Sequence, residues 1–82
     1  MPTSDGREIT VRSASALGRA LRAARLDRGL TQGELAEQAR TNRFSVAQLE
    51  TGAATRAIEK LFDTLAALDL ELMVRPRQGW KA

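Results

Sequence analysis

The 82-residue chain contains no cysteine and no histidine. Without cysteine, neither a disulfide nor thiolate chemistry is open to it, which suits a reducing cytosol. Without histidine as well, it lacks the commonest general base, metal ligand and thiol nucleophile. No glycine-rich phosphate loop and no zinc-ligand spacing takes their place. The carboxylates fall mostly on outer helical faces beside arginines, so neither enzymatic activity nor a cofactor or metal is expected. No apolar run approaches the ~18 residues of a membrane span. Internal repeats and low-complexity tracts are absent too. The first 26 residues are rich in Ser and Arg, but Asp5 and Glu8 do not suit an organellar transit peptide. The expected location is the cytoplasm, at the nucleoid when on DNA.

What is present is a short, arginine-rich chain. Its length points to one domain, near the size at which a single core is marginal and oligomerisation commonly helps. The formal net charge is +3, and 11 of the 13 basic residues are arginine. Arginine suits bidentate contact with phosphate and guanine.

The stretch that organises the chain is residues 31–52, TQGELAEQARTNRFSVAQLETG. Thr31 precedes an apolar-periodic run and Glu34 follows three residues later, the spacing of a capping box. Leu35, Ala36 and Ala39 then share one side of a two-turn helix. Arg40, Thr41 and Asn42 break the run, and Asn42 can cap a second helix starting at Arg43. On that helix Val46 and Leu49 point one way, while Arg43, Phe44, Ala47 and Gln48 point the other. The small Ala36 and Ala39 allow two helices to cross closely, and Gly52 supplies the positive φ that ends the unit. Spacing alone fits a solvated helical hairpin as well as a DNA reader.

The segment resembles the lambda-repressor-like (Xre-type) helix-turn-helix domain. The shared marks are Gln32, the run Glu34-Leu35-Ala36, and the closing Leu49-Glu50-Thr51-Gly52. The likeness extends over roughly residues 9–75, and the LDLELMV segment is similar to HipB-type antitoxins in particular. It implies a mainly α fold: a four-to-five-helix lambda-repressor-like domain with a C-terminal β-strand pairing across a dimer. It also implies that Arg25 pairs with Glu50, tying the first helix to the reading helix. A further implication is a HipA-like Ser/Thr kinase toxin, which such a protein restrains while repressing the operon that encodes both. A stand-alone phage-type or metabolic repressor would share every DNA-facing residue and lack only that partner.

Taken in order, residues 1–8 are polar and turn-prone, and residues 9–12 alternate as a short strand or arm. Residues 1–12 thus form an N-terminal arm, and residues 13–69 the helix-turn-helix domain. Ser13 can cap a first helix running to about Arg28, with Leu17, Leu21 and Ala24 inward and Gly29 as its stop. Leu26 points away from that stripe, a lone exposed leucine or a partner contact. Thr55 caps a last helix, on which Ile58, Leu61, Phe62, Leu65 and Leu68 form an amphipathic stripe. That stripe is expected to close the core against Leu21, Leu35, Val46 and Leu49. The period then changes: Leu70, Leu72 and Val74 alternate with Glu71, Met73 and Arg75, a strand over residues 70–75. A lone strand must pair, either with residues 9–12 or with its copy in a second chain, the arrangement the resemblance implies. Residues 76–82 are a tail whose Trp80 is either a partner anchor or folds back on the domain.

In a helix-turn-helix the second helix enters the major groove. Arg43 can grip guanine O6 and N7, and Gln48 can pair with adenine. Ala47 lies on the same face. Phe44 departs from the family, which often carries a polar residue there; its ring can press on thymine methyls but cannot hydrogen-bond. Gln32, Thr41, Asn42, Ser45 and Arg56 are placed to meet backbone phosphates, Gln32 with help from a helix N-terminus. One reading helix spans too few base pairs for selectivity, so a homodimer on an inverted-repeat duplex is expected.

Overall fold

In a computed structural model, residues 8–53 and 55–77 are described. They form a strand β1 (Ile9–Val11), four helices, α1 (Ala14–Asp27), α2 (Gln32–Gln38), α3 (Arg43–Thr51) and α4 (Arg56–Ala67), and a strand β2 (Leu72–Val74). Trp80 and residues 1–7 lie outside the described residues.

Every helix begins on a side-chain oxygen that takes up an otherwise orphaned N–H. Ser13, Asn42 and Thr55 accept from the N–H of Ala16, Ser45 and Ile58 at 3.1, 2.8 and 3.3 Å. At Thr31 the capping box is complete. The hydroxyl accepts from Glu34 N–H (3.0 Å), and Thr31 N–H donates to the Glu34 carboxylate (2.9 Å).

The four stops also share one device. An N–H just past each helix reaches back five residues: Leu30 to Arg25 O, Thr41 to Ala36 O, Ala53 to Gln48 O, and Leu70 to Leu65 O, all between 2.8 and 3.1 Å. This closure requires a left-handed residue immediately before the donor. Glycine fills that place at Gly29 and Gly52, but Arg40 and Asp69, each with φ 60°, fill it elsewhere. Leu70 therefore belongs to the stop of α4 and not to a strand over 70–75, and β2 is only three residues long.

α1 packs on α3 and α2 on α3, while the chief helical neighbour of α4 is α1. The fully buried apolar residues are small ones: Val11, Ala20, Ala36 and Val46. Several expected core positions are more open. Ala24 and Ala39 are exposed, Leu17 and Leu21 half-buried; α1 turns Gly18, Ala20 and Arg25 inward instead. Leu49 is also open, because Val46 and Glu50 are the residues α3 buries. On α4 no side chain is fully buried, and Leu68 is 62% exposed. Among the described residues the chief helical neighbour of α4 is α1 alone, and the outer side of α4 stays open.

β2 finds its partner inside the chain. It runs antiparallel to β1, with Ile9, Thr10 and Val11 opposite Val74, Met73 and Leu72. This is the internal pairing with residues 9–12, and opposite charges support its register. One step beyond each end of this register stand opposite charges: Arg12 bonds Glu71, and Arg75 lies 3.5 Å from Glu8. Beneath the sheet, Val11, Phe62, Leu65, Ala66, Leu70 and Leu72 line an open groove of about 430 Å³.

Candidate nucleic-acid interface

The turn from α2 to α3 is built by local chemistry. Ala39 ends α2, Arg40 takes the left-handed conformation, and Asn42 caps α3. Because the Asn42 carboxamide oxygen is used on Ser45 N–H, its NH₂ group is the part left to face a ligand. α3 is then fixed along one side by Val46 and Glu50 and presents Arg43, Phe44 and Gln48 to solvent. Ala47 and Ser45 are half-buried at the edges of that face, and Thr41 and Arg56 are exposed. Phe44 is 69% exposed, the most open of the large apolar residues among those described. Leu26 is exposed on α1, away from this face in sequence and set on a different helix.

α3 is held by the buried pair of Arg25 and Glu50. Arg25 Nε donates to Glu50 Oε2 at 2.6 Å and Arg25 Nη2 to Oε1 at 3.0 Å. A third donor, Nη1, reaches the Leu30 carbonyl at 2.7 Å, and Gln32 Nε2 donates to Glu50 Oε1 at 3.1 Å. The pair the resemblance implied is thus present, and it joins α1, the α1–α2 connection, α2 and α3 at one point. Hydrogen bonding from Arg25 draws the Glu50 pKa down against the upward push of burial; the Gln32 bond and the charges of Arg25 and Arg22 add to the lowering. Reciprocally, the Glu50 bond raises the pKa of Arg25. No buried side-chain N or O atom lacks a partner among the described residues.

This arrangement changes how Gln32 is understood. Its carboxamide is spent in part on Glu50, and the N-terminus of α2 already carries the Glu34 carboxylate. Gln32 therefore positions α2 against α3, and any phosphate contact would come from the rest of the same amide.

Two glycines set the distance between α1 and α3. A Cβ on Gly18 would meet Leu49 O at 2.5 Å, Glu50 O at 2.7 Å and Gly52 N at 2.9 Å, all backbone atoms. From the other side, Gly52 (φ 82°) would bring a Cβ within 2.7 Å of Ser15 Cα. Sequence reasoning assigned the close crossing of α2 and α3 to Ala36 and Ala39, of which Ala36 is buried, and did not single out Gly18 for the α1–α3 approach. The available signal was an isolated glycine inside a helical pattern, which often marks such packing.

What the arrangement can do is bind. Cationic and amide side chains stand at the start of α3, with exposed Arg40 before it and exposed Arg56 after it along the chain. No group of His, Cys, Asp and Glu suited to a metal is present among the described residues, and no described helix is long and apolar enough to cross a membrane. Residues 16–74 match the family described as a helix-turn-helix domain. No curated protein and no solved structure matches the chain.

Proposed function

We propose, since this chain belongs to the helix-turn-helix domain family, that it is a sequence-specific DNA-binding transcriptional repressor. The observation that carries this reading is α3, anchored on one side by Val46 and Glu50 and open on the other at Arg43, Phe44 and Gln48. Side chains near the start of such a helix reach base edges in the major groove. Arg43 offers a planar fork to guanine, and Gln48 a donor–acceptor pair to adenine. Asn42, Thr41, Ser45 and Arg56 hold phosphates on either side and fix the register. The protein acts by occupying DNA in the cytoplasm and not by catalysis.

The working unit is a homodimer. Supporting this are the exposed apolar residues of α4, β2 and the turn between them, Leu61, Leu68, Leu70 and Met73. The outer edge of β2 is unpaired in this two-stranded sheet. Antiparallel pairing of that edge with a second copy, centred on Met73, sets Glu71 opposite Arg75 of the copy and Leu72 opposite Val74. The charge pairs already present then extend across the two-fold axis, from Arg12 through Glu71 to Arg75 and Glu8 of the copy. Opposite charges placed across strands support a register. Sedimentation of the full chain is expected to give a dimer, and Leu68→Glu with Met73→Glu a folded monomer. A wild-type monomer rules the dimer out.

A HipB-type antitoxin role, with a HipA-like Ser/Thr kinase as the restrained partner, is proposed on the resemblance of residues 9–75 alone. Purification from native cells with recovery of a kinase supports it; recovery of DNA alone leaves a stand-alone repressor.

The DNA reading itself is tested by selection from a pool of random duplexes. An enriched inverted repeat, with half-sites about one helical turn apart, is the expected result. A pool that stays random through repeated rounds overturns it.

A further inference from the structure

Phe44 stands apart from the other exposed apolar residues. Leu61, Leu68, Leu70 and Met73 lie on or next to α4 and β2, the side assigned above to a second copy, whereas Phe44 is the second residue of α3 between Arg43 and Ser45. Ala47, one turn further on, is half-buried beside the same face. A phenyl ring that is 69% exposed at this point gains only by meeting an apolar surface, because it has no donor or acceptor to offer.

The base edges of the major groove present one apolar group, the C5-methyl of thymine. The same methyl, on the same ring carbon, is carried by 5-methylcytosine. Thymine and 5-methylcytosine differ at position 4, where one has an acceptor oxygen and the other a donor amine. A phenyl ring cannot tell these apart. We propose that Phe44 makes each operator half-site depend on a C5-methylated pyrimidine and accepts thymine and 5-methylcytosine alike. This rests on α3 being the DNA-reading helix.

The test uses the full chain and a duplex obtained by selection, with each thymine in turn replaced by deoxyuridine, which lacks only the methyl. At one thymine per half-site, affinity is expected to fall about fourfold, the factor for losing one buried methyl. Phe44→Ala, folded by circular dichroism, is expected to bind the parent duplex more weakly and to be indifferent to that replacement. At the same position a 5-methylcytosine–guanine pair is expected to bind the wild type more tightly than a cytosine–guanine pair by a similar factor. Deoxyuridine tolerated at every position, or an equal loss in Phe44→Ala, overturns the methyl reading while leaving the DNA-binding proposal intact. Unchanged affinity of Phe44→Ala for the parent duplex also overturns it. No enriched duplex in the selection overturns both.

Discussion

Arg25 meets Glu50 edge to edge: two guanidinium nitrogens face two carboxylate oxygens at 2.6 and 3.0 Å, with side chains only 9% and 3% exposed. Planar bidentate contact of this kind fixes orientation as well as distance. Removing one partner strands a charge in the interior, which is far costlier than exchanging both for apolar residues. Glu50→Ala is expected to lower the melting temperature by more than about 10 °C. Replacing both residues with Met recovers much of that loss, while DNA affinity stays low because α3 is no longer bonded to α1 through Arg25 or to α2 through Gln32. Thermal melts of the two variants check this.

Acid acts on the same pair. The Glu50 pKa is lower in the folded chain than in the unfolded one, so the unfolded state takes up a proton first as pH falls. The stabilisation is complete above the ordinary carboxylate range, about pH 4.3, and is lost as pH drops through the depressed folded value. Melting temperature is expected to be flat on this account from pH 7 to 5 and to fall below about pH 4. Glu50→Gln loses this component of the fall.

Gly18 and Gly33 give a test of sign. Alanine in place of an exposed helical glycine ordinarily adds about 1 kcal/mol of stability. Gly33→Ala, whose Cβ would meet only Thr31 Oγ1 at 3.9 Å, is expected to show that gain. Gly18→Ala drives a methyl into the backbone of α3, and overpacking of this kind costs about 1–3 kcal/mol. Denaturant unfolding of both reads the difference directly.

These contacts show where the sequence was legible. Ser13, Thr31, Asn42 and Thr55 announced the helix starts because a cap needs only one side chain and its own next turn. Gly29 and Gly52 announced two stops for the same local reason. Arg40 carries the same left-handed stop without any signal in its residue type, and Asp69 with only a weak one, since Asp tolerates that region. The inward turn of Gly18 was hidden because it depends on α3, far along the chain, and that of Arg25 came only from the family resemblance. The stripe on α4 was legible as a face that wants cover, but periodicity does not say what covers it, and among the described residues its outer side stays open. At the interface, the outward set of Arg43, Phe44 and Gln48 followed from helical spacing. The bond from Gln32 to Glu50 did not, because it joins two helices whose mutual placement spacing cannot give.

The non-glycine stops make a further prediction. A left-handed conformation costs an ordinary residue about 1–2 kcal/mol, partly offset by the greater chain entropy glycine loses. Arg40→Gly and Asp69→Gly are each expected to raise stability by about 0.5–1 kcal/mol in denaturant unfolding. Arg40 also places a cation beside the reading helix, so Arg40→Gly weakens DNA binding and makes it less salt-dependent. Asp69→Gly leaves both unchanged.

The central claim is that α3 reads bases while the residues around it hold phosphates. The direct measurement is the affinity of Arg43→Ala and Arg56→Ala for a selected duplex and for every single-base variant of it. Arg43→Ala is expected to lose about 1–3 kcal/mol on the parent duplex and to become indifferent at one base position per half-site. Arg56→Ala is expected to lose affinity evenly across all sequences, with a shallower salt dependence. Even losses for both variants, with base preferences intact, would contradict the assignment of α3 as the reading helix.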